Sequence, residues 1–579
     1  MLTAKYKWRT KQLREHVEVL NGKKSPTILL YNATYLNGIL KRWMKANIWI
    51  YEDRIIYVGD KLPELVDPSC EKIDCSNQYL VPGYIEPHAH PFQLYNPQTF
   101  AQYASLTGTT TLINDNLTLA LLLKNENALS FIEKINDLPV TMYWWCRYDG
   151  QTEIINEDAV FSHSNVKSWL SNSHVLQGGE LTGWPKLLAG DDLILHWIQE
   201  TKRLRKRVEG HFPGASEKTL AKLMLLGADS DHEAMTGEEV MRRMMHGYMV
   251  SLRYSSIRPD LPTILDDLAE YQLPNYDQFM LTTDGSPPSF YENGVMDRLI
   301  NLAISKGVPA IEAYQMATAN PAKYYQIDHY HGFITTGRVA NINFLTEKEN
   351  PTPISVLAKG KWIKREHFEQ DEQLDWQSFG FSPLQIDWEL TMNDLQFSMP
   401  LGIRMENSVI TKPYSVTIDA SRTELDPDID ESFFLLIDKH GKWRVSTILK
   451  GFAKNVSGFA SSFSNTGDII VIGKNKQAMM EAFNKMKELG GGIVMVEKGQ
   501  SIFELPLPLG GVISDLPFQT LIEKEKKLKQ LLMERGYSFA DPIYTLLFFS
   551  STHLPYIRIT QQGLFDVMKK TVLIPAIMR

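Results

Sequence analysis

The sequence predicts an α/β fold centred on a barrel of eight parallel strands, each followed by a helix. Three observations predict it. Eight short β-type segments alternate with helical stretches between residues 81 and 330. The alternation runs over about 250 residues, the usual size of a (β/α)8 barrel. Six side chains of metal-binding type, His88, His90, Glu180, His211, His232 and Asp284, fall at the C-terminal ends of those segments, where such barrels gather their chemistry.

Taken in order, residues 1–24 are charged and read as an exposed helix, with Lys, Arg and Glu spread from Lys5 to Lys24. From Thr27 short β segments follow, Thr27 to Tyr31, Ala46 to Tyr51 and Arg54 to Asp60, with Glu52-Asp53 as a hairpin turn. Residues 1–80 are therefore a helix and the first part of a β module. The run Val81-Pro82-Gly83-Tyr84-Ile85-Glu86-Pro87-His88-Ala89-His90 reads as the first barrel strand. A strand alternates its side chains, so His88 and His90 point the same way and make half of a transition-metal site. The remaining seven strands are read at Thr109–Asp115, Val140–Trp145, Val175–Glu180, Arg207–His211, Gly227–Glu233, Met249–Arg253 and Phe279–Gly285. Among the helices, Ser216 caps the one that runs to Leu226, and Thr236 caps the next with Glu239 at capping-box distance.

After the barrel, Gly332 to Phe344 and Val356 to Ile363 return to β structure and complete the module, with an acidic, aromatic connector to residue 400. Residues 401–579 form a third region. Strands are read there at Val416–Ile418, Phe433–Ile437, Trp443–Ser446, Asp468–Ile472 and Ile493–Val496, and a helix at Lys476–Leu489 stopped by Gly490-Gly491-Gly492. That glycine run lacks the Lys-Ser/Thr of a phosphate loop and is read as a cap.

Composition narrows the function classes. With 43% hydrophobic and 22% charged residues the chain is globular rather than disordered or collagen-like. A net charge of −8 and the absence of a basic block argue against nucleic acid. No run is long enough to span a membrane, and Cys70, Cys75 and Cys146 cannot build a disulfide framework, so a reduced, cytoplasmic protein is expected. The ten other histidines, His16, His163, His174, His196, His246, His329, His331, His367, His440 and His553, are read as surface or core residues.

The chain resembles the amidohydrolase superfamily and, within it, the adenine deaminases of the YerA type. The likeness rests on Val81 to His90, Gly179-Glu180 followed by Trp184 to Asp191, Glu209-Gly210-His211-Phe212-Pro213-Gly214, Ser230-Asp231-His232-Glu233, Thr282-Thr283-Asp284, and late in the chain Glu504 to Gly511 with Ser514-Asp515. It departs from that family at Pro91-Phe92-Gln93-Leu94, where Ile-Glu-Ser-Ser is usual, and at Asp115-Asn116-Leu117-Thr118, where Asp-Pro-His-Glu is usual. It departs again at Gly294-Val295-Met296-Asp297, and at Asn465-Thr466-Gly467-Asp468, which replaces a His-rich motif.

The resemblance implies a TIM-type metal-dependent hydrolase barrel (81–330), a small flanking β-sandwich built from both sides of it (1–80 and 331–400), and a C-terminal α/β domain (401–579). It implies hydrolytic deamination of adenine to hypoxanthine and ammonia, in purine salvage, with a small purine as partner and a homodimeric assembly. His88, His90, Glu180, His211, His232 and Asp284 would bind two divalent cations, manganese first and iron or zinc as alternatives, and Asp284 would also carry the proton. Phe92, Phe212 and Trp184 are candidates to stack on the purine. A deacetylase, a deaminase of another heterocycle, or a metal-binding relative without activity stays open on the same residues.

Overall fold

The computed structural model describes residues 8–365, 374–397 and 400–579. His367, residues 1–7 of the segment read from the sequence as a helix, and part of the connector lie outside the described residues.

Eight parallel strands form the central sheet: Tyr84–Ala89, Thr109–Asn114, Thr141–Cys146, Val175–Leu181, Arg207–Gly210, Ser230–Asp231, Met249–Arg253 and Phe279–Thr282. Each pairs with the next in sequence order. The seam between the last and first strands is stitched by a side chain. Buried Glu86 accepts hydrogen bonds from Thr282 Oγ1 (2.7 Å), Thr283 N (2.9 Å) and Thr283 Oγ1 (2.7 Å), and Thr282 Oγ1 also reaches the His88 carbonyl at 3.2 Å. This seam fixes the first strand, which carries His88 and leads to His90, against the last, which leads to Asp284.

The sixth strand is two residues long, shorter than the seven read at Gly227–Glu233. The Asp231 carboxylate supplies the reason. It accepts from Phe212 N at 2.8 Å, Glu233 N at 3.1 Å and Arg243 Nε at 2.5 Å. Its side chain thus satisfies backbone donors that a longer ladder would have paired. The two caps form where the sequence places them. Ser216 accepts from Thr219 N and Thr236 from Glu239 N, while Glu239 turns its own side chain to Met235 N rather than to Thr236.

The flanking module is one eight-stranded sheet rather than two stacked sheets. Strands Ile28–Asn37, Arg42–Tyr51, Arg54–Gly59, Glu71–Asp74 and Tyr79–Pro82 precede the barrel; Ile342–Leu345, Ser355–Ala358 and Lys361–Lys364 follow it. The halves join where Tyr79–Pro82 pairs antiparallel with Ile342–Leu345. The first strand has a register shift between Leu30 and Ala33, with Asn32 at φ 57°. Such a bulge bends a strand. The sheet closes over one core containing Leu30, Ile48, Ile55, Phe344 and Leu357. The N-terminal helix, Thr10–Leu20, is exposed on one side and buries His16 and Val19 on the other.

The C-terminal region holds a nine-stranded sheet, the helices Lys476–Glu488, Phe518–Glu534 and Pro542–Phe548, and a three-stranded sheet from Ile557 to Pro575. The strand read at Val416–Ile418 lies instead at Thr411–Ser415. Pro413 sits inside it, which an edge strand tolerates, and this strand is at the sheet edge. Gly490 and Gly491, at φ 70° and 110°, end the preceding helix by returning their N–H groups to Lys487 and Met486 carbonyls. Among the described residues no helix is long and apolar enough to cross a membrane.

Candidate metal centre at the barrel mouth

All six residues predicted from the sequence converge at the C-terminal end of the barrel. His88 Nε2 lies 3.2 Å from His90 Nε2 and 3.2 Å from Asp284 Oδ1, and His90 Nε2 lies 3.5 Å from the same oxygen. On the other side, His211 Nδ1 lies 3.3 Å from His232 Nε2 and 2.6 Å from Glu180 Oε1, and His232 Nε2 lies 3.4 Å from that oxygen. Glu180 Oε2 faces the first group, 3.9 Å from His90 Nε2. Glu180 thus stands between two clusters.

Neighbouring carboxylates set the direction of the imidazoles. Glu209 Oε1 is 3.2 Å from His232 Nδ1 and 3.3 Å from His88 Nδ1, the latter at a slant too steep for a full hydrogen bond. Asp115 Oδ2 is 3.0 Å from His90 Nδ1. With Nδ1 facing a carboxylate, each of these rings turns its Nε2 inward, the arrangement that orients metal-binding histidines. Asp115 is itself fixed by Trp145 Nε1 (2.7 Å) and by Arg147 Nε and Nη2 (2.9 and 2.7 Å). Arg147 Nη2 also donates to Glu180 Oε2 at 2.6 Å. Across the site, Arg253 Nη1 donates to Asp284 Oδ2 at 2.9 Å and to Glu233 Oε1 at 2.5 Å. Asp284 adopts φ 50°, a left-handed conformation that Asp tolerates better than most residues. The Tyr544 hydroxyl donates to the carbonyls of Asp284 and Gly285 from the C-terminal region.

The residues fit a metal. Facing imidazole nitrogens at 3.2–3.3 Å repel unless a proton or a cation lies between them. Donors spaced about 3.4 Å apart are those of a tetrahedral set with bonds of about 2.0–2.2 Å. Burial pushes the His90 pKa down, but Asp115 and Asp284 override it and raise it to about 9. His232 is likewise raised well above its usual value, burial being outweighed by Glu180 and Glu209. Burial would raise the Glu180 and Asp284 pKa values, yet Arg147 holds the first and Arg253 the second well below the carboxylate range. A cation that takes the place of those imidazole protons preserves the charge balance and releases them.

Above this floor is a cavity of about 690 Å³, closed on one side by the C-terminal region. Phe92, Leu117 and Thr118 line it, and so does Asn465 of the segment that replaces the His-rich motif. Val295 is buried at the start of the helix Met296–Ser305 and is not among the lining residues. Of the aromatic candidates only Phe92 lines the cavity; Phe212 and Trp184 pack edge to face on each other. His553, read from the sequence as surface or core, lines it too, with its ring 5.4 Å from that of His211. Burial and the His211 charge push its pKa down to about 3. No local signal marks His553, since it reaches the site only by the packing of a segment more than three hundred residues away. Glu209, Arg147 and Arg253 were also missed as site residues. Glu209 was in plain view, alternating two positions before His211, with the period that puts strand residues on one face.

Comparisons with known proteins show the family. The profile of the amidohydrolase family matches residues 79–363, and that of the adenine deaminase C-terminal domain matches residues 408–571. A relative from Halalkalibacterium halodurans is 57% identical over 100% of both chains. The YerA protein of Bacillus subtilis is 55% identical over 99% of both. One from Picrophilus torridus is 34% identical over 99% of this chain and 96% of its own. All three carry adenine deaminase names. The chain belongs to the amidohydrolase family, in its adenine deaminase branch.

Proposed function

We propose that the protein is an adenine deaminase that converts adenine and water to hypoxanthine and ammonia. The observation that carries this reading is the convergence of four imidazoles and two carboxylates beneath a cavity, in a chain matching adenine deaminases from end to end. His88, His90, Glu180 and Asp284 would hold one divalent cation, and Glu180, His211 and His232 a second. Nitrogen and oxygen donors without a thiolate suit manganese first, and iron or zinc as well. When bound, such cations supply Lewis acidity that brings the pKa of a coordinated water to about 7.

The chain's own residues do the rest. Asp284, kept ionised by Arg253, takes the proton of the water that adds to C6, opening the C6–N1 double bond onto the ring nitrogen, and passes it towards that nitrogen or the amine that leaves as ammonia. Glu209 and Asp115 keep the imidazoles aimed. The apolar walls, Phe92, Leu117, Ile410 and Phe548 among them, exclude water from a flat heterocycle, and the neutral His553 and Asn465 offer it hydrogen bonds. Three free, buried cysteines support a cytoplasmic location. The assembly proposed is a homodimer, which light scattering tests.

The deciding experiment follows hypoxanthine and ammonia after adenine is added to manganese-reconstituted protein, alongside a panel of other aminated heterocycles. Conversion of adenine is expected. A protein with two cations bound that releases ammonia only from another heterocycle, or from none, would overturn the assignment.

A further inference from the structure

We propose that Glu233 is a ligand of the second cation and completes a four-donor cage there. The inference rests on the metal-site reading above and is independent of what the substrate is. The first cage has four donors, His88 Nε2, His90 Nε2, Asp284 Oδ1 and Glu180 Oε2. Without Glu233 the second has three, His211 Nδ1, His232 Nε2 and Glu180 Oε1. Glu233 Oε1 lies 3.4 Å from His211 Nδ1 and 3.4 Å from His232 Nε2, and those nitrogens are 3.3 Å apart. These three edges match the separation of about 3.4 Å expected between donors around a tetrahedral cation.

The surroundings reinforce the parallel. Arg253 Nη1 donates to Asp284 Oδ2 and to Glu233 Oε1, so one guanidinium holds the terminal carboxylate of each cage. Arg258 Nη1 holds the other Glu233 oxygen at 3.3 Å. A carboxylate oxygen has two lone pairs, so Oε1 can accept from Arg253 and still ligate. Glu233 is 2% exposed and lines the cavity floor, and its backbone N–H is tied to Asp231 at 3.1 Å, which fixes the turn that aims it inward. Glu180 then gives one oxygen to each cage, and each cage has two imidazoles, half of Glu180 and one arginine-held carboxylate.

The test is metal affinity, with no substrate present. Full-length protein stripped by chelation is titrated with manganese, and free ion is followed by its electron paramagnetic resonance signal. Wild type is expected to take up two cations. Glu233→Gln is expected to bind one with unchanged affinity and the other at least about tenfold more weakly, and His211→Ala identifies which site that is. If Glu233→Gln does not fold, Glu233→Asp replaces it, because it keeps a charge for Arg253 while drawing the carboxylate back by one methylene. Two cations bound with wild-type affinity would overturn the inference. So would equal weakening of both, which would mean that Glu233 acts only through Arg253. A wild type binding fewer than two cations would overturn the two-cation reading and this inference with it. Failure of adenine to react would touch neither.

Discussion

Glu525 gives the pH prediction that the structure supports most fully. It sits on the helix Phe518–Glu534, 2% exposed, and receives hydrogen bonds from Ser289 N and Oγ of the loop after the last barrel strand, at 2.5 and 2.7 Å. Burial, with the negative Asp541 nearby, pushes its pKa up to about 7, against the opposing pull of the Ser289 donors and Lys529. The folded state therefore favours the protonated carboxyl. Its contribution is fully present below the unfolded pKa of about 4.5 and is lost as pH rises through about 7. A rise of about 2.5 units corresponds to about 3 kcal/mol. Glu525→Gln keeps an acceptor for Ser289 and cannot ionise, so any fixed cost of the amide is the same at every pH. Denaturant unfolding of metal-loaded wild type and variant between pH 5 and 8 is the assay. Part of that loss has already occurred by pH 5, so the wild type should lose about 2–3 kcal/mol relative to the variant across that window. A difference constant to within about 0.5 kcal/mol would refute the argument that burial keeps Glu525 neutral.

Other outcomes follow from the metal centre. Asp284→Asn should retain cations yet lower kcat by at least about a hundredfold, because an amide cannot carry the proton; near-normal turnover would remove Asp284 from that role. His88→Ala should lower the metal content read by elemental analysis, and unchanged stoichiometry would count against the site. Arg147→Met should strand the buried Asp115 and Glu180 carboxylates and cost about 3–5 kcal/mol. For a unit of about 250 residues that lowers the unfolding midpoint by roughly 10 °C, measured by thermal unfolding of the metal-free protein.

The barrel and its six metal-type residues were legible because both depend on local pattern. A strand of period two fixes which side chains share a face, and the C-terminal end of each segment is a position that sequence displays directly. The arginines were not legible in the same way. Arg147 and Arg253 stand at strand ends like the histidines, but only the three-dimensional approach of Asp115, Glu180, Glu233 and Asp284 turns them into the counter-charges of a buried site. The sixth strand was overread for a related reason: Asp231 spends its side chain on backbone donors of other segments, which no local pattern displays.

The sequence by itself determined the strand and helix order, the ends at which chemistry gathers and the donor types available, since these follow from neighbours within a few residues. Only the tertiary structure decided how the cavity is closed. Asn465, Tyr544 and His553 reach the barrel mouth from far along the chain, the Tyr544 hydroxyl meeting the Asp284 carbonyl across 260 residues and the His553 ring lying against that of His211. Which residues meet over such separations depends on how whole faces pack, through apolar burial that has no direction of its own and leaves no periodic mark in the chain.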